Sequence, residues 1–311
     1  MSQYLLLFCL AFFVSYIVTP LTARLAFIVG AVDRPNMRKV HDSIMPRLGG
    51  IAIFAGFSLA TAVYSIQNNQ IPGIMLGGVV ILLIGIADDI RDISPKVKLL
   101  GQCLAALVVV QYGIQIEFIH NVFAGYLQVD YLTVPLSVFW IVAVTNAVNL
   151  IDGLDGLASG ITAIALTTFA VIAYQSGQNA VFVLSIILVG AVLGFLRFNF
   201  FPAKIFLGDS GSMFLGFMLA VLPTYGVVKG ATAYALIIPI IILAVPLLDT
   251  GYAIIRRYLE KKPIFQADRQ HIHHRLLNHG LSHLQAVLMI YAISVFLSFS
   301  ALLVFYSTSP L

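Results

Sequence analysis

The stretch GIMLGGVVILLIGIADDIRDIS, residues 73–94, runs for fifteen residues without an ionisable side chain and then sets Asp88, Asp89 and Asp92 within five positions. Its apolar part reads as a membrane-spanning helix, since a span needs about 20 mostly apolar residues. The rest of the chain agrees. Of 311 residues 60% are hydrophobic and only 10% charged, with a mean hydropathy of +0.99, whereas a soluble domain holds ~45–50% apolar residues. Cys9 and Cys103 lie in apolar runs and form no C-x-x-C pair, so neither a disulfide framework nor a cysteine metal site is indicated. The run 4–20 is too long for a secretory h-region and no basic residue precedes it, so it reads as an uncleaved first helix.

Hydropathy marks ten spans, roughly 4–29, 48–66, 73–88, 99–117, 134–151, 158–175, 180–196, 211–228, 232–255 and 284–306. The alternate loops 33–47, 88–98, 197–210 and 256–283 hold 15 of the 17 Lys and Arg residues. Because Lys and Arg stay on the cytoplasmic side, these loops are expected inside and both termini outside. The expected fold class is therefore an all-α polytopic membrane protein, a single integral-membrane domain over 1–311. Of the 13 acidic residues only Glu117 and Asp130 fall on the outer side. An inner rim rich in both signs suits a metal-bridged polyanion, with carboxylates for Mg²⁺ and Lys or Arg for phosphate oxygens. A basic inner rim is also the ordinary signal of topology and of anionic-lipid contact.

If the helix continues to Asp92, Asp88 and Asp92 share a face at i,i+4, where like charges repel, and carboxylates at a helix C-terminus oppose its dipole. The stretch therefore reads as a cation site; the alternative is a solvated helix end neutralised by Arg91, Lys96 and Lys98. In TNAVNLIDGLDGLASG, 145–160, Asn146, Asn149, Asp152 and Asp155 recur every three residues. The glycines between them suit a helix broken for close backbone approach, and the spacing is not that of an EF-hand. In KIFLGDSGSMFLG, 204–216, Asp209 precedes an apolar helix as an N-cap or as part of a phosphate cradle. No P-loop signature is present.

DRQHIHHRLLNHGLSH, 268–283, carries five of the seven histidines. His271, His273 and His274 with Arg269 and Arg275 form a basic patch suited to an anion; zinc is the less favoured reading, for want of nearby acid or Cys ligands apart from Asp268, and a solvated basic loop is the remaining one. The first inner loop adds Lys39, His41 and Arg47, and Asp249 in VPLLDTGY lies about one turn inside the ninth span, where an ionisable residue is a functional candidate.

In its ordered set of motifs (DRPNMRKVH…PRLGG, ADDIRD, NAVNLIDGLDGL, FLGDSGS, PLLD and HIHHRL) the chain closely resembles the bacterial polyprenyl-phosphate N-acetylhexosamine-1-phosphate transferases, of glycosyltransferase 4 type, over nearly its whole length. Within them it looks most like the WecA- and TagO-like branch that starts surface-polymer and wall teichoic acid synthesis. The resemblance implies a Mg²⁺-dependent (or Mn²⁺-dependent) transfer of N-acetylglucosamine 1-phosphate from UDP-N-acetylglucosamine to undecaprenyl phosphate, with release of UMP, in the bacterial cytoplasmic membrane. It places Asp88 and Asp89 at the paired active-site aspartates and Asp152 and Asp155 in the second acidic motif. It further matches Asn149 and Asp209 to positions on Mg²⁺ or diphosphate, His271, His273 and His274 to the histidine motif, and Lys39 to a basic residue of the first loop. Lys39, Asn146, Asp249 and the three histidines are expected to bind substrate. The related enzyme that takes UDP-N-acetylmuramoyl-pentapeptide has a differently arranged histidine motif and is usually longer.

The chemistry agrees. A lipid phosphate with a second pKa of about 6 is already ionised near neutrality, so the site must position it and stabilise the departing diphosphate charge. Direct in-line attack is favoured over a covalent aspartyl-phosphate, which stays open. A ten-helix secondary transporter is the rival from another class, and would want carboxylates near the bilayer midplane and an internal repeat. Membrane lipids are expected partners, a homodimer is compatible with the sequence, and no nucleic acid is expected.

Overall fold

The computed structural model describes residues 2–34, 44–64, 69–121, 125–128, 130–229, 237–263 and 270–308. It is an all-α membrane protein with the helices α1 (Ser2–Val29), α2 (Gly49–Tyr64), α3 (Ile71–Arg91), α4 (Pro95–Gln111), α5 (Thr133–Ile151), α6 (Leu157–Gln175), α7 (Asn179–Asn199), α8 (Gly208–Lys229), α9 (Ile237–Ile242), α10 (Ala244–Leu259), α11 (Ile272–Asn278) and α12 (His283–Thr308). Two small antiparallel hairpins join helices: β1 (Val32–Asp33) with β2 (Met45–Pro46), and β3 (Phe118–Asn121) with β4 (Gly125–Gln128). Six helices, α1, α3, α5, α6, α7 and α12, are long and apolar enough to cross a membrane by length and composition. The outer faces of α1 and α12 carry exposed Leu6, Phe13, Ile17, Phe296, Phe299 and Leu303. So wide an apolar surface marks a lipid-facing wall.

Where helices differ from the hydropathy reading, local backbone chemistry is the cause. The expected span 99–117 ends at Gln111, because Gly113 takes φ +78 and the chain turns into β3. The expected span 232–255 is divided at Leu243 into α9 and α10. Pro246 has no N–H to give the carbonyl of Ile242, and its ring disfavours an unbroken helix there. The segment between α10 and α12, expected as an inner loop, contains α11, a helix that hydropathy does not mark.

α8 is the axis of the bundle. It is buried on every side from Ser210 to Gly226 and packs against α2, α3, α5, α6 and α7. A helix that is apolar right round belongs in the centre, and here Trp140 of α5 donates its indole N–H to the carbonyl of Ala220 at 3.2 Å. Association of helices in lipid depends on small residues that let backbones close. Gly190 and Gly194 on α7, one turn apart, do this for α1: a side chain at either would meet the carbonyl oxygen of Phe8 or Phe12.

Gly194→Ala is accordingly expected to lower the melting temperature of the detergent-purified protein, through overpacking worth about 1–3 kcal/mol. Gly251→Ala, in α10 with open space around it, should raise it slightly, since a glycine inside a helix costs about 1 kcal/mol relative to alanine. Equal melting temperatures for the two variants would remove the α1–α7 approach as a source of stability.

Candidate active site at one end of the bundle

The C-terminal ends of α3 and α5, the N-terminal ends of α4 and α8 and the β1–β2 hairpin meet at one end of the molecule. Asp89, near the end of α3, has a side chain that is 0% exposed. Its Oδ1 accepts the backbone N–H of Asp209 at 2.9 Å and its Oδ2 that of Ser210 at 3.0 Å. Asp89 is thus the cap of α8, supplied by another helix. The sequence offered Asp209 as that cap; in the fold Gly208, at φ +71, turns the chain so closely past the Asp89 carboxylate that a side chain there would collide with it. A second glycine, Gly85, lets α3 lie directly on the backbone of Ser210.

Freed from capping, the Asp209 carboxylate faces the site. Its Oδ1 accepts from Lys98 Nζ at 2.6 Å and from Asn149 Nδ2, and Asn149 also donates to Ser212 Oγ at 2.8 Å. Asp88 accepts the N–H of Ile93 on Oδ1 and Lys98 Nζ on Oδ2, both at 2.8 Å. Lys98 therefore bridges Asp88 and Asp209. The helix does not continue to Asp92: α3 ends at Arg91, and Asp92, at φ +46 and with its side chain 92% exposed, leaves the helical path that would have stacked it on Asp88. Ser94 and Pro95 start α4 three residues before Lys98, with Val97 N–H reaching Ser94 Oγ at 3.5 Å. Arg47, from the residue after β2, faces Asp89 at 3.4 Å, Asp33 and Asp92 at 3.8 Å and Asp209 at 4.0 Å. Burial works against its charge, but these carboxylates outweigh that and hold its pKa raised.

Asp152 follows α5; its N–H donates to the carbonyl of Asn149 at 3.4 Å, while its carboxylate has no hydrogen-bond partner among the described residues. Burial first, then Asp209, Asp89 and Asp155, push its carboxyl well above the usual range. Asp155 instead ties segments together: its Oδ2 accepts the N–H of Ala203 at 3.0 Å, and its own N–H donates to His283 Nε2 at 2.9 Å. Asn146 forms a reciprocal amide pair with Gln102, at 2.6 and 3.2 Å, and does not join the Asp209 network. Asp249 repeats the arrangement of Asp89. Its Oδ1 accepts the N–H of Ile272, capping α11, and its Oδ2 pairs with His271 Nδ1, both at 2.8 Å. His273, 2% exposed, lies against Gly153, where a side chain would strike its ring, and so brings the histidine segment onto the loop that carries Asp152. The His274 ring lies 4.3 Å from that of His273, tilted by 45°. Lys39, His41, Asp268 and Arg269 lie outside the described residues.

Comparison with known proteins agrees with this geometry. The family model described as glycosyl transferase family 4 matches residues 71–227, which hold the two acidic motifs and Asp209. The probable undecaprenyl-phosphate N-acetylglucosaminyl 1-phosphate transferase of Bacillus subtilis is 47% identical over 92% of this chain and 80% of its own length. The chain belongs to glycosyl transferase family 4. The decaprenyl-phosphate N-acetylglucosaminephosphotransferase of Mycobacterium tuberculosis is 36% identical over 89% of this chain and 76% of its own. The undecaprenyl-phosphate alpha-N-acetylglucosaminyl 1-phosphate transferase of Escherichia coli is 29% identical over 90% and 78%.

Among the described residues no three His, Cys, Asp or Glu side chains gather as a closed metal cage. Among the described residues, Asp209 Oδ2, Asn149 Oδ1 and both carboxylate oxygens of Asp152 accept no N–H. One or two carboxylates beside substrate phosphates is how Mg²⁺ is usually held, so in this member of glycosyl transferase family 4 Asp209 and Asn149 fit it as a half-site. The site residues that the sequence reading left off its candidates are Lys98 and Arg47. The i,i+4 acid pair demanded a cation without saying which; the turn between α3 and α4 selects Lys98.

Two measurements check these roles. Asp89→Asn would point an amide N–H at the donors of α8 and should cost about 1–3 kcal/mol, seen as a fall in melting temperature larger than that of Asp209→Asn. Burial, then His274 and His271, hold His273 down to about 3, against an ordinary 6.5. Between those values only the unfolded chain takes up this proton, so the stabilisation is complete above pH 6.5 and lost as pH falls towards 3. At about 1.4 kcal/mol per pH unit, moving from pH 6.5 to 5 should remove about 2 kcal/mol. His273→Gln should flatten that dependence, and an unchanged slope would assign it to other groups.

Proposed function

We propose that this chain is a phosphoglycosyltransferase that passes N-acetylglucosamine 1-phosphate from UDP-N-acetylglucosamine to undecaprenyl phosphate at the cytoplasmic face of a bacterial membrane. The step releases UMP and starts an envelope polysaccharide or wall teichoic acid. The observation that carries the reading is the Asp88–Lys98–Asp209–Asn149 network, set where an apolar bundle ends. A lipid-borne phosphate can reach that level from the membrane, and a soluble nucleotide from the other side. The names of the relatives give the acceptor and the sugar.

In the proposed step an oxygen of the lipid phosphate attacks the β-phosphorus of the donor, and the bond from that phosphorus to the bridging oxygen breaks, leaving UMP. An already ionised phosphate needs placement more than proton removal. Both oxygens of Asp88 are engaged, by Ile93 N–H and Lys98. This favours a role in orienting Lys98 over one as a covalent nucleophile, and so favours in-line transfer. Lys98 lies between the two acids, where its ammonium can meet developing phosphate charge while Asp88 and Asp209 fix its direction. Asp209 and Asn149 would hold Mg²⁺ or Mn²⁺, which when bound supplies charge neutralisation on the diphosphate. His271, His273 and His274 are carried by α11 towards the Asp152 loop, a position suited to the distal part of the donor. A pocket fitted to one small sugar would exclude a lactyl-peptide by clash.

Purified protein in detergent should release UMP from UDP-N-acetylglucosamine only when undecaprenyl phosphate and a divalent cation are present. Asp209→Asn and Lys98→Met should each cut turnover by at least 100-fold while remaining folded. UDP-N-acetylmuramoyl-pentapeptide should give no release; comparable rates with both donors would overturn the choice of sugar, and full activity in chelator the metal. The proposed topology, ten spans with both termini outside, is read by single cysteines at Ser94 and Asn278 in a chain lacking Cys9 and Cys103. Labelling of either from outside intact cells would reverse it.

A further inference from the structure

Arg47 is anchored by its backbone and loosely held by its side chain. Its N–H donates to the carbonyl of Ala31 at 3.0 Å, and the residues on either side of it are stitched to the segment that leads into α8: Phe206 N–H to Pro46 O at 2.8 Å, Gly49 N–H to Phe206 O at 3.3 Å and Gly50 N–H to Leu207 O at 3.2 Å. The guanidinium therefore starts from a fixed place beside the end of α8. Four carboxylates surround it, yet only Asp89 comes within hydrogen-bond range, at 3.4 Å, and both oxygens of Asp89 already accept backbone N–H groups. Charge-assisted N–H···O bonds usually measure about 2.7–2.9 Å. Among the described residues Lys98 makes two such bonds and Arg47 makes none.

A guanidinium has five donors in a planar fork that matches two oxygens of a phosphate at once. Among the described residues Arg47 uses one donor of that fork, towards Asp89; its side chain is 20% exposed and has Asp209 on the same side. The surrounding acids keep its charge in place by long-range attraction without a bidentate clamp. Turning towards a phosphate would thus break few short bonds, and the charge it brings would offset the repulsion between phosphate and the acids of the site. We propose that Arg47 is a phosphate-binding residue of the transferase, its fork taking two non-bridging oxygens of a substrate phosphate. This rests on the phosphoglycosyl-transfer reading. The shared chemistry is a phosphate oxyanion, which either the nucleotide diphosphate or the lipid phosphate presents.

Two experiments test it. Arg47→Lys keeps the charge and removes the fork; kcat/KM for UMP release should fall 10- to 100-fold with the melting temperature nearly unchanged. A raised KM for UDP-N-acetylglucosamine would assign the nucleotide diphosphate, and a raised KM for undecaprenyl phosphate the lipid. Unchanged KM for both substrates would overturn the proposal and leave Arg47 as a neutraliser of the acids. The second measurement needs no variant and no turnover. Wild-type protein is treated with phenylglyoxal and the modification of Arg47 is read by peptide mass spectrometry, with and without UDP-N-acetylglucosamine or undecaprenyl phosphate. Protection of at least fivefold by either supports binding; equal modification in all arms sinks it. Because protection is read without catalysis, it separates failure of this assignment from failure of the transferase reading, which wild-type UMP release decides.

Discussion

The Asp89 carboxylate, received by the first N–H groups of α8, is the constraint on which the site depends. An α-helix begins with four N–H groups that have no partner within it, and α8 begins against the fully buried side chain of Asp89. A carboxylate in the same place carries a large desolvation cost unless hydrogen bonds and opposite charge offset it. Each group answers the need of the other, helped by the positive end of the α8 dipole. The exchange fixes the depth and rotation of α8 against α3, and through them the direction in which Asp209 points. An acid that seemed misplaced at the C-terminal end of α3 is placed correctly for a different helix.

Around that contact the charges are deliberately unequal. Asp88, Asp89, Asp152 and Asp209 gather at one level, with Lys98 and Arg47 as the described cations among them. Lys98 sits at short distance between two acids, whereas Arg47 sits at long distance among four. The remaining negative charge is what a divalent cation would balance, and the resulting assembly would meet a diphosphate with both a metal and basic side chains. The Asp152 carboxyl, pushed upwards in its range, records the same crowding.

The histidine segment is mounted by a second use of one device. Asp249 caps α11 from α10, as Asp89 caps α8 from α3, and in the same act holds the Nδ1 side of His271. α11 is too short to be stable on its own, so the capping bond and the packing of His273 on Gly153 set its place. Two segments far apart in sequence, the turn after α5 that holds Gly153 and the residues 271–274 that open α11, are brought into contact in this way.

The sequence by itself determined the class of fold and singled out most of the acids that the fold gathers at one end of the bundle. Hydropathy and the side preference of Lys and Arg are properties of composition along the chain and survive without coordinates. It also posed the need for a cation beside Asp88 without choosing among Arg91, Lys96 and Lys98, and it marked Asp249 as unusual without its purpose. What only the tertiary structure decided is the division of labour: Asp89 as a cap, Asp209 as the group turned to the site, Asp155 and Asn146 as ties between segments, Arg47 as the loosely held guanidinium. The physical reason is that α8 is apolar on every face, so no periodicity tells how it is rotated or how deeply it sits. Those are fixed by close backbone contact at Gly85 and Gly208 and by hydrogen bonds between residues 120 and 121 positions apart.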